Sequence, residues 1–140
     1  MKAVLDSCAA IQTVRPESDT RKAIKLIDEY RHGLHDLLTP DIFPLETLNS
    51  LAKAERQNRI PAGSGYALWQ TILADAPAYH PHAPLFARAY AIATTTKVAV
   101  YDCLYVALAE RESAEFITSD VKMHVALQRL FPFIRLLKDL

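Results

Sequence analysis

The amino-acid sequence predicts an α/β fold in which a parallel sheet carries helices on both faces. Short apolar segments, typical of buried strands, alternate along the chain with longer segments in which apolar residues have a helical spacing. Such alternation is typical of parallel sheets, whose strands are joined by helices. The chain has 140 residues, which suffices for one domain and is too short for two independent cores. We therefore expect a single domain over residues 1–140.

The predicted strands are short and apolar, and several of them stop at a polar residue or a proline. The first ends at Asp6, and the second ends at Pro40, which cannot donate a hydrogen bond to a neighbouring strand. The predicted strands are residues 3–5, 37–39, 115–118 and 133–136, with a short extended piece at 78–79 and an apolar stretch, 97–100, expected to be the strand before Asp102.

The helices are predicted from apolar residues three, four and seven positions apart and from residues that favour helix ends. They are residues 8–14 (ended by Pro16), 20–31 (capped by Ser18 or Asp19 and ended at Gly33), 42–59 (capped by Asp41, with Pro44 in the first turn), 66–74 (capped by Ser64), 85–95, 103–112 and 120–130. The residues expected to face the core are Ala23, Ile24, Ile27 and Tyr30 in the second helix and Leu45, Leu48, Leu51 and Ala52 in the third. Helix 103–112 is apolar on more than one side, which predicts that it is buried or contacts a second copy.

Composition excludes several classes of protein. Sixteen basic residues balance sixteen acidic ones, whereas a charge-driven nucleic-acid binder needs a positive excess. Cys8 and Cys103 lie far apart and outside any CxxC motif, which argues against a zinc site or a disulfide scaffold. Three glycines cannot build a GxGxxG motif or a P-loop. No apolar run reaches about 18 residues, and Asp6 interrupts the first one, so we expect a cytoplasmic protein without a membrane segment.

Acidic side chains fall where ligands bind in a fold of this class. Asp6 and Asp120 directly follow predicted strands, and Asp102 begins the most apolar helix. Because the carboxyl ends of parallel strands lie at one edge of the sheet, we expect these three side chains to share a crevice. Glu46 lies near a helix start among apolar residues, where a carboxylate must be paired, hydrated in a cleft or bound to a metal.

Each acid also has a purely structural explanation. Aspartate is a favoured N-cap, worth about 1 kcal/mol, and Glu46 could favour the positive start of its helix. For any one acid alone, this is the better interpretation. It does not explain why three predicted strand-to-helix junctions carry Asp while a fourth acid begins a helix. Four carboxylates in one crevice repel one another, and a set of this kind without cysteine suits a hard divalent cation, Mg²⁺ or Mn²⁺.

Four segments of the sequence resemble the PIN-domain ribonucleases, and most closely the VapC-type toxins of type II toxin–antitoxin modules. They are Val4-Leu5-Asp6-Ser7, Pro40 through Glu46-Thr47-Leu48, Val100 through Glu110 (VYDCLYVALAE), and Ile117-Thr118-Ser119-Asp120. The third is the most specific, since a strand that leads into YDxLYxALAE is characteristic of these toxins. Two positions depart from the family: Lys122 stands where many relatives carry a further Asp, and Cys8 replaces a Ser, Thr or Asn.

The resemblance implies an α/β/α sandwich, a metal-dependent endoribonuclease activity, a homodimer, and neutralisation by a cognate antitoxin. The implied catalytic residues are Asp6, Glu46, Asp102 and Asp120. Three of them, Asp6, Asp102 and Asp120, are expected to hold Mg²⁺ or Mn²⁺, while Glu46 orients water or serves as a base. Ser7 and Thr118 match the family's hydroxyl positions beside this site. The expected reaction is hydrolysis of an RNA phosphodiester bond without a covalent enzyme intermediate.

An RNA substrate must approach this acidic crevice, so basic side chains that flank it are candidate phosphate contacts. They are Arg15, Arg21, Lys22, Lys53, Arg56 and Arg59. For any one of them alone, a solvated helix face is the simpler explanation.

Other functions stay open at this point. A transition-metal site could be built from histidines (His32, His35, His80, His82 and His124), although ordinary exposed histidines explain them better. The chain could also be a catalytically silent PIN-like module that binds protein or RNA. A third alternative is a metal-dependent nuclease or phosphatase that acts on DNA or on small phosphates.

Overall fold

A five-stranded parallel sheet forms the centre of the molecule. The computed structural model describes residues 1–140. The strands are β1 (Lys2–Leu5), β2 (Asp36–Pro40), β3 (Ala78–His80), β4 (Glu115–Thr118) and β5 (Ile134–Leu136). Their order in the sheet is β3-β2-β1-β4-β5, and every neighbouring pair is parallel. The extended piece expected at 78–79 is thus an edge strand that pairs with β2.

Seven helices accompany the strands. They are α1 (Ser7–Ile11), α2 (Thr20–Arg31), α3 (Phe43–Arg56), α4 (Gly65–Ala74), α5 (Phe86–Thr96), α6 (Val100–Arg111) and α7 (Val121–Leu127). Short 3-10 turns at Ala83–Leu85 and Leu137–Asp139 precede α5 and follow β5. No single helix has the length and hydropathy of a membrane span; Ala83–Thr96 and Val100–Arg111 reach them only when joined across a bend of 117°.

The two faces of the sheet carry separate hydrophobic cores. One core packs α5, α6 and α7 against Val4, Leu38 and Phe116. The other packs α1 to α4 against Leu5 and Ile117. Because successive side chains of a strand point to opposite faces, β1, β2 and β4 each contribute to both cores. This arrangement confirms the predicted three-layer α/β/α sandwich with a central parallel sheet.

The strand order creates a crevice between β1 and β4. From β1 the chain passes to β2 and β3 on one side of the sheet, and it later forms β4 and β5 on the other. Connections that diverge from a central strand leave a crevice at its carboxyl end, where ligands bind in open α/β sheets. Asp6 stands at this end of β1, and its N–H donates to the Ile117 carbonyl of β4 at 3.0 Å.

The segment before Asp102 is a turn between two helices, so the strand predicted at 97–100 is wrong. Lys97 ends α5 in the left-handed conformation, with φ of 61°, and α6 already begins at Val100. The side chain of Val98 packs onto the core from this turn, which explains the strand-like composition of the segment. Asp102 therefore lies in the first turn of α6 rather than at the end of a strand.

In α2 and α3, the residues Ala23, Ile27, Tyr30 and Leu51 pack on the core as predicted, but each helix exposes one residue that was expected to be buried. In α2, Ile24 is 50% exposed and Leu26 is buried. In α3, Leu45 is 70% exposed. The buried stripe of α3 consists of Phe43, Thr47, Leu51 and Ala54. This stripe is buried because α1 and α4 pack against it. Glu46 lies at the edge of the stripe and is only partly exposed.

Three predicted N-caps do not act as caps. The side chains of Asp19 and Ser64 accept no hydrogen bond from a helix N–H, and the Ser64 hydroxyl donates to the Pro61 carbonyl. α3 begins at Phe43 rather than directly after Asp41, whose carboxylate accepts the His82 N–H at 3.1 Å. The burial of apolar faces, rather than these side chains, holds the three helices in place.

We expect Leu51→Ala to lower the free energy of unfolding by about 2–5 kcal/mol, because the side chain is fully buried and its removal leaves a cavity. Leu45→Ala makes the same chemical change in the same helix at an exposed position, and it should cost less than about 0.5 kcal/mol. Urea denaturation of both variants measures the difference. Equal losses would contradict the face assigned to α3.

Candidate active site

Four carboxylates from four elements meet at the carboxyl ends of β1 and β4. Asp6 follows β1, and Asp120 follows β4. Asp102 lies in the first turn of α6, and Glu46 in the first turn of α3. The four side chains are near enough for their charges to interact: after burial, the negative charges of the other three raise the pKa of Asp102. The structure therefore brings together all four acids that the sequence singled out.

Asp6 is the most deeply buried of the four, with 4% of its surface exposed. Its Oδ2 accepts hydrogen bonds from the Thr118 hydroxyl at 2.6 Å and the Cys8 thiol at 3.0 Å, and the Ser7 hydroxyl contacts Oδ1 at 3.4 Å. Burial raises the pKa of Asp6, the hydrogen bonds from Thr118 and Cys8 oppose that rise, and the charge of Asp120 adds to it. Both hydroxyl residues that the resemblance implied, Ser7 and Thr118, are thus in contact with this carboxylate.

Asp102 and Glu46 are partly buried, and both favour the protonated form more than usual. Burial, followed by the charges of Asp6, Glu46 and Asp120, raises the pKa of Asp102 to about 7. Burial also raises the pKa of Glu46, an effect that the neighbouring Tyr105 hydroxyl opposes. The site can therefore bind and release protons near neutral pH, or bind a cation in their place.

Several buried polar atoms at the site lack a partner. Glu46 Oε1, Tyr105 Oη and Ser119 Oγ are inaccessible to water and make no hydrogen bond of normal geometry. Tyr105 is fully buried and its ring stacks on Phe116 with centroids 6.0 Å apart, which fixes the position of its hydroxyl. Because buried polar groups are almost always hydrogen-bonded, these atoms mark a place for a water molecule or another ligand.

Capping explains only one of the three aspartates. The Oδ1 atom of Asp120, an exposed residue, accepts the Met123 N–H at 2.9 Å and caps α7. Asp6 occupies the N-cap position of α1, but its side chain makes no capping hydrogen bond. Asp102 lies beyond the N-cap of α6, which is Ala99. The positions of Asp6 and Asp102 therefore need another explanation.

The donor set fits a hydrated divalent cation. The acids supply hard carboxylate oxygens, and Glu46 Oε1 is buried and unpaired. However, no group of three or more His, Cys, Asp or Glu side chains is arranged to hold a metal ion directly. Mg²⁺ retains several waters and uses only one or two carboxylates, so this arrangement suits such an ion better than one bound wholly by protein.

Comparison with known sequences gives the family. The sequence model of the PIN domain matches residues 3–126. The chain belongs to the PIN-domain family. This PIN domain is 29% identical over 124 residues to Ribonuclease VapC3 of Pyrobaculum aerophilum. The aligned segment covers 86% of this chain and 90% of that protein. The resemblance found in the sequence is thus confirmed.

Solved structures share the fold of this PIN domain at low sequence identity. PAE2754 from Pyrobaculum aerophilum superposes with a TM-score of 0.71 and 17% identity, over 99% of this chain and 94% of that one. A toxin–antitoxin complex from Klebsiella pneumoniae gives 0.60 and 16%, over 95% of both chains. VapBC2 from Rickettsia felis, solved with a DNA fragment from its promoter, gives 0.63 and 12%, over 97% of both.

The basic residues proposed to contact phosphate lie in the segment after α1, in α2, and in the last turn of α3 and just beyond it. Arg15 pairs with Glu17, and Arg21 lines a groove of about 500 Å³ beside α2. Lys53 and Arg56 lie in the last turn of α3, which is roughly 10–15 Å along the helix axis from Glu46. Of the other two, Lys22 donates to the Lys138 carbonyl. Burial lowers the pKa of Arg15, and the positive charge of Arg59 lowers it further. Their role toward RNA stays a prediction.

The histidines of this PIN domain do not converge on one point. His35 contacts Glu29 at 2.7 Å, and His82 pairs with Asp41. His32 lies 3.6 Å from Asp28, and Arg111 contacts His80 at 3.3 Å. No histidine belongs to a group of three or more His, Cys, Asp or Glu side chains that could hold a metal ion.

The sequence did not reveal two parts of the site. Cys8 contacts both Asp6 and Thr118, a role that its position outside any CxxC motif did not indicate. Tyr105 lies beside Glu46, although its position in an apolar helix gave no sign of a polar role. Lys122, where relatives carry a further Asp, is exposed in the first turn of α7.

The raised pKa of Asp102 makes stability depend on pH. In the folded state this pKa is about 7, against an ordinary value of 3.8. Between these values the folded protein holds a proton that the unfolded chain releases, so stability falls as pH rises through this range. Asp102→Asn cannot ionise and should be more stable than the wild type near pH 8 by about 1–2 kcal/mol, a value discounted for the partial exposure of the side chain.

Urea denaturation in EDTA near pH 5 and pH 8 measures this difference. Part of the pH dependence should remain in the variant, because Asp6 and Glu46 are shifted in the same direction. The same loss of stability between the two pH values in both proteins would contradict the placement of Asp102 among the other acids.

Proposed function

We propose that this PIN domain is a divalent-metal-dependent endoribonuclease and the toxin of a toxin–antitoxin pair. The observation that carries the proposal is the convergence of Asp6, Glu46, Asp102 and Asp120 on the crevice between β1 and β4, with Asp102 shifted to a pKa of about 7. A relative of 29% identity is a ribonuclease, and structures of similar fold include toxin–antitoxin complexes. These comparisons support both parts of the proposal.

Asp6, Asp102 and Asp120 would hold the cation, Mg²⁺ or Mn²⁺, partly through water. When bound, the cation supplies positive charge to the phosphate oxygens and lowers the pKa of water. Thr118 and Cys8 hold the Asp6 carboxylate in a fixed orientation by donating to Oδ2. Asp120 is held by its cap on α7, which engages only Oδ1.

Glu46 is the base or the water-orienting group in this proposal. Glu46 is partly exposed and its Oε1 has no hydrogen-bond partner, so its carboxylate would be free to accept a proton from an attacking water. Burial raises its pKa, which makes the ionised form a stronger base than an exposed glutamate. Ser7, beside Asp6, would help to position water or phosphate.

RNA carries its own negative charge into an acidic crevice. Without positive charge there, the phosphate and the four carboxylates would repel each other. We assign to Arg15, Arg21, Lys53 and Arg56 the role of contacting the RNA backbone outside the crevice. The proposal also includes a second copy of the chain in a homodimer and a cognate antitoxin protein as partners.

Cleavage assays test the enzymatic part of the proposal. The purified protein is incubated with RNA or DNA in Mg²⁺, Mn²⁺ or EDTA, alongside Asp6→Asn and Asp102→Asn. We expect RNA cleavage that needs the divalent cation and falls at least about 100-fold in each variant, as is usual when a group that stabilises the transition state is removed. Asp36→Asn, at the exposed start of β2, serves as the matched control and should cleave RNA like the wild type.

Three results would contradict the enzymatic proposal. RNA cleavage that is insensitive to EDTA, or that survives both substitutions, would exclude the proposed metal mechanism. Absence of cleavage with an intact fold would favour a silent module that binds protein or RNA. A preference for DNA would favour the third alternative. The toxin assignment is tested separately: expression should arrest growth, and the product of a neighbouring gene should relieve the arrest.

A further inference from the structure

Two backbone N–H groups at the end of β4 are connected to Asp6 by two parallel relays. In one, the Asp120 N–H donates to Thr118 Oγ1 at 3.0 Å, and the Thr118 hydroxyl donates to Asp6 Oδ2 at 2.6 Å. In the other, the Ser119 N–H donates to Cys8 Sγ at 3.3 Å, and the Cys8 thiol donates to the same Oδ2 at 3.0 Å. The sulfur and the Thr118 oxygen are themselves 3.3 Å apart.

These relays determine which oxygen of Asp6 is available to a ligand. A carboxylate oxygen has two lone-pair sites, and Thr118 and Cys8 occupy both sites of Oδ2. The other oxygen, Oδ1, is contacted by the Ser7 hydroxyl at 3.4 Å, which is longer than a normal O–H···O bond, and the Ser7 backbone N–H also stabilises the charged carboxylate. Rotation of the carboxylate would break the Thr118 and Cys8 contacts at once, so the carboxylate keeps this orientation and Oδ1 stays the oxygen without a short side-chain hydrogen bond.

We propose that Cys8 is a positioning residue that fixes the Asp6 carboxylate so that Oδ1 faces the cation. Cys8 lies in α1, whereas Ser119 follows β4 and is 111 positions later in the sequence, so the thiol joins the two sides of the crevice. Cys8 thus links the Ser119 N–H to Asp6 in the same way that Thr118 links the Asp120 N–H to Asp6. The inference rests on the proposed function in one respect, namely that Asp6 is a cation ligand.

A purely space-filling role for the thiol makes a different prediction. If Cys8 only filled volume, any residue of similar size would replace it without effect on cation binding. If it acts through its donor and acceptor contacts, a serine should replace it and a residue without a donor should not. Removal of an outer group that orients a metal ligand typically costs about 10–100-fold in affinity.

The experiment measures Mn²⁺ binding by isothermal titration calorimetry, with no RNA present. The proteins are the wild type, Cys8→Ala, Cys8→Ser and Cys103→Ala. Cys103, the other free cysteine, is buried in the core, its thiol donates to the Val98 carbonyl at 3.7 Å, and it provides the matched control. Circular dichroism verifies the fold, and Cys8→Val, which fills the volume without a donor, replaces Cys8→Ala if the alanine variant unfolds.

We expect Cys8→Ala to weaken Mn²⁺ binding by about tenfold, Cys8→Ser to bind within about threefold of the wild type, and Cys103→Ala to bind like the wild type. In RNA cleavage, Cys8→Ala should need more Mn²⁺ and recover most of its kcat at saturation. Wild-type affinity in Cys8→Ala, or equal losses in Cys8→Ala and Cys8→Ser, would overturn the inference.

The two proposals fail in different ways. A wild type that binds Mn²⁺ in this pattern but cuts no RNA would overturn the proposed function and leave the role of Cys8 intact. A wild type that binds no Mn²⁺ would overturn the role of Cys8, whether or not RNA is cut. An equal loss in Cys103→Ala would also overturn it, because the effect would then follow from the loss of any buried thiol.

Discussion

Four carboxylates share one crevice in which Asp6 is almost wholly buried and Asp102 and Glu46 are partly buried. Keeping negative charges together away from water is costly unless protons, hydrogen-bond donors or a cation offset the charge. Protons offset part of the charge, since the pKa of Asp102 is raised to about 7, and hydrogen bonds from Thr118 and Cys8 stabilise the Asp6 carboxylate. The proposed reaction depends on a divalent cation that offsets the charge as well.

The fold supports this concentration of charge in two ways. The parallel order of β1 and β4 places Asp6 and Asp120 at neighbouring strand ends, while the burial of α6 between α5 and the sheet holds Asp102 in position. In addition, Glu46 and Asp102 lie in the first turns of their helices and Asp120 caps α7. The start of a helix carries partial positive charge, so three helix ends reduce the repulsion among the acids.

Much of this could be predicted from the sequence because the signals were local. β4 and α2 have the predicted bounds, and the four acids were found from their places after strands and at helix starts. Asp102 was placed correctly although the strand before it does not exist, since the start of α6 faces the same crevice. The exposed faces of Ile24 and Leu45 were missed because the packing partners of a helix, rather than its own spacing, select the buried stripe. The contacts of Cys8 with Thr118 and Ser119 were missed because these residues are 110 and 111 positions away in the sequence.

The free energy of unfolding of the wild type near pH 8, measured in MnCl₂ and in NaCl at equal ionic strength, tests the central claim most directly. If the crowded carboxylates bind a divalent cation in the folded state only, stability rises steadily with Mn²⁺ concentration, by about 2.7 kcal/mol at 100 times the dissociation constant. We predict this rise in MnCl₂ and little change in NaCl. Equal stability in the two salts would contradict the claim.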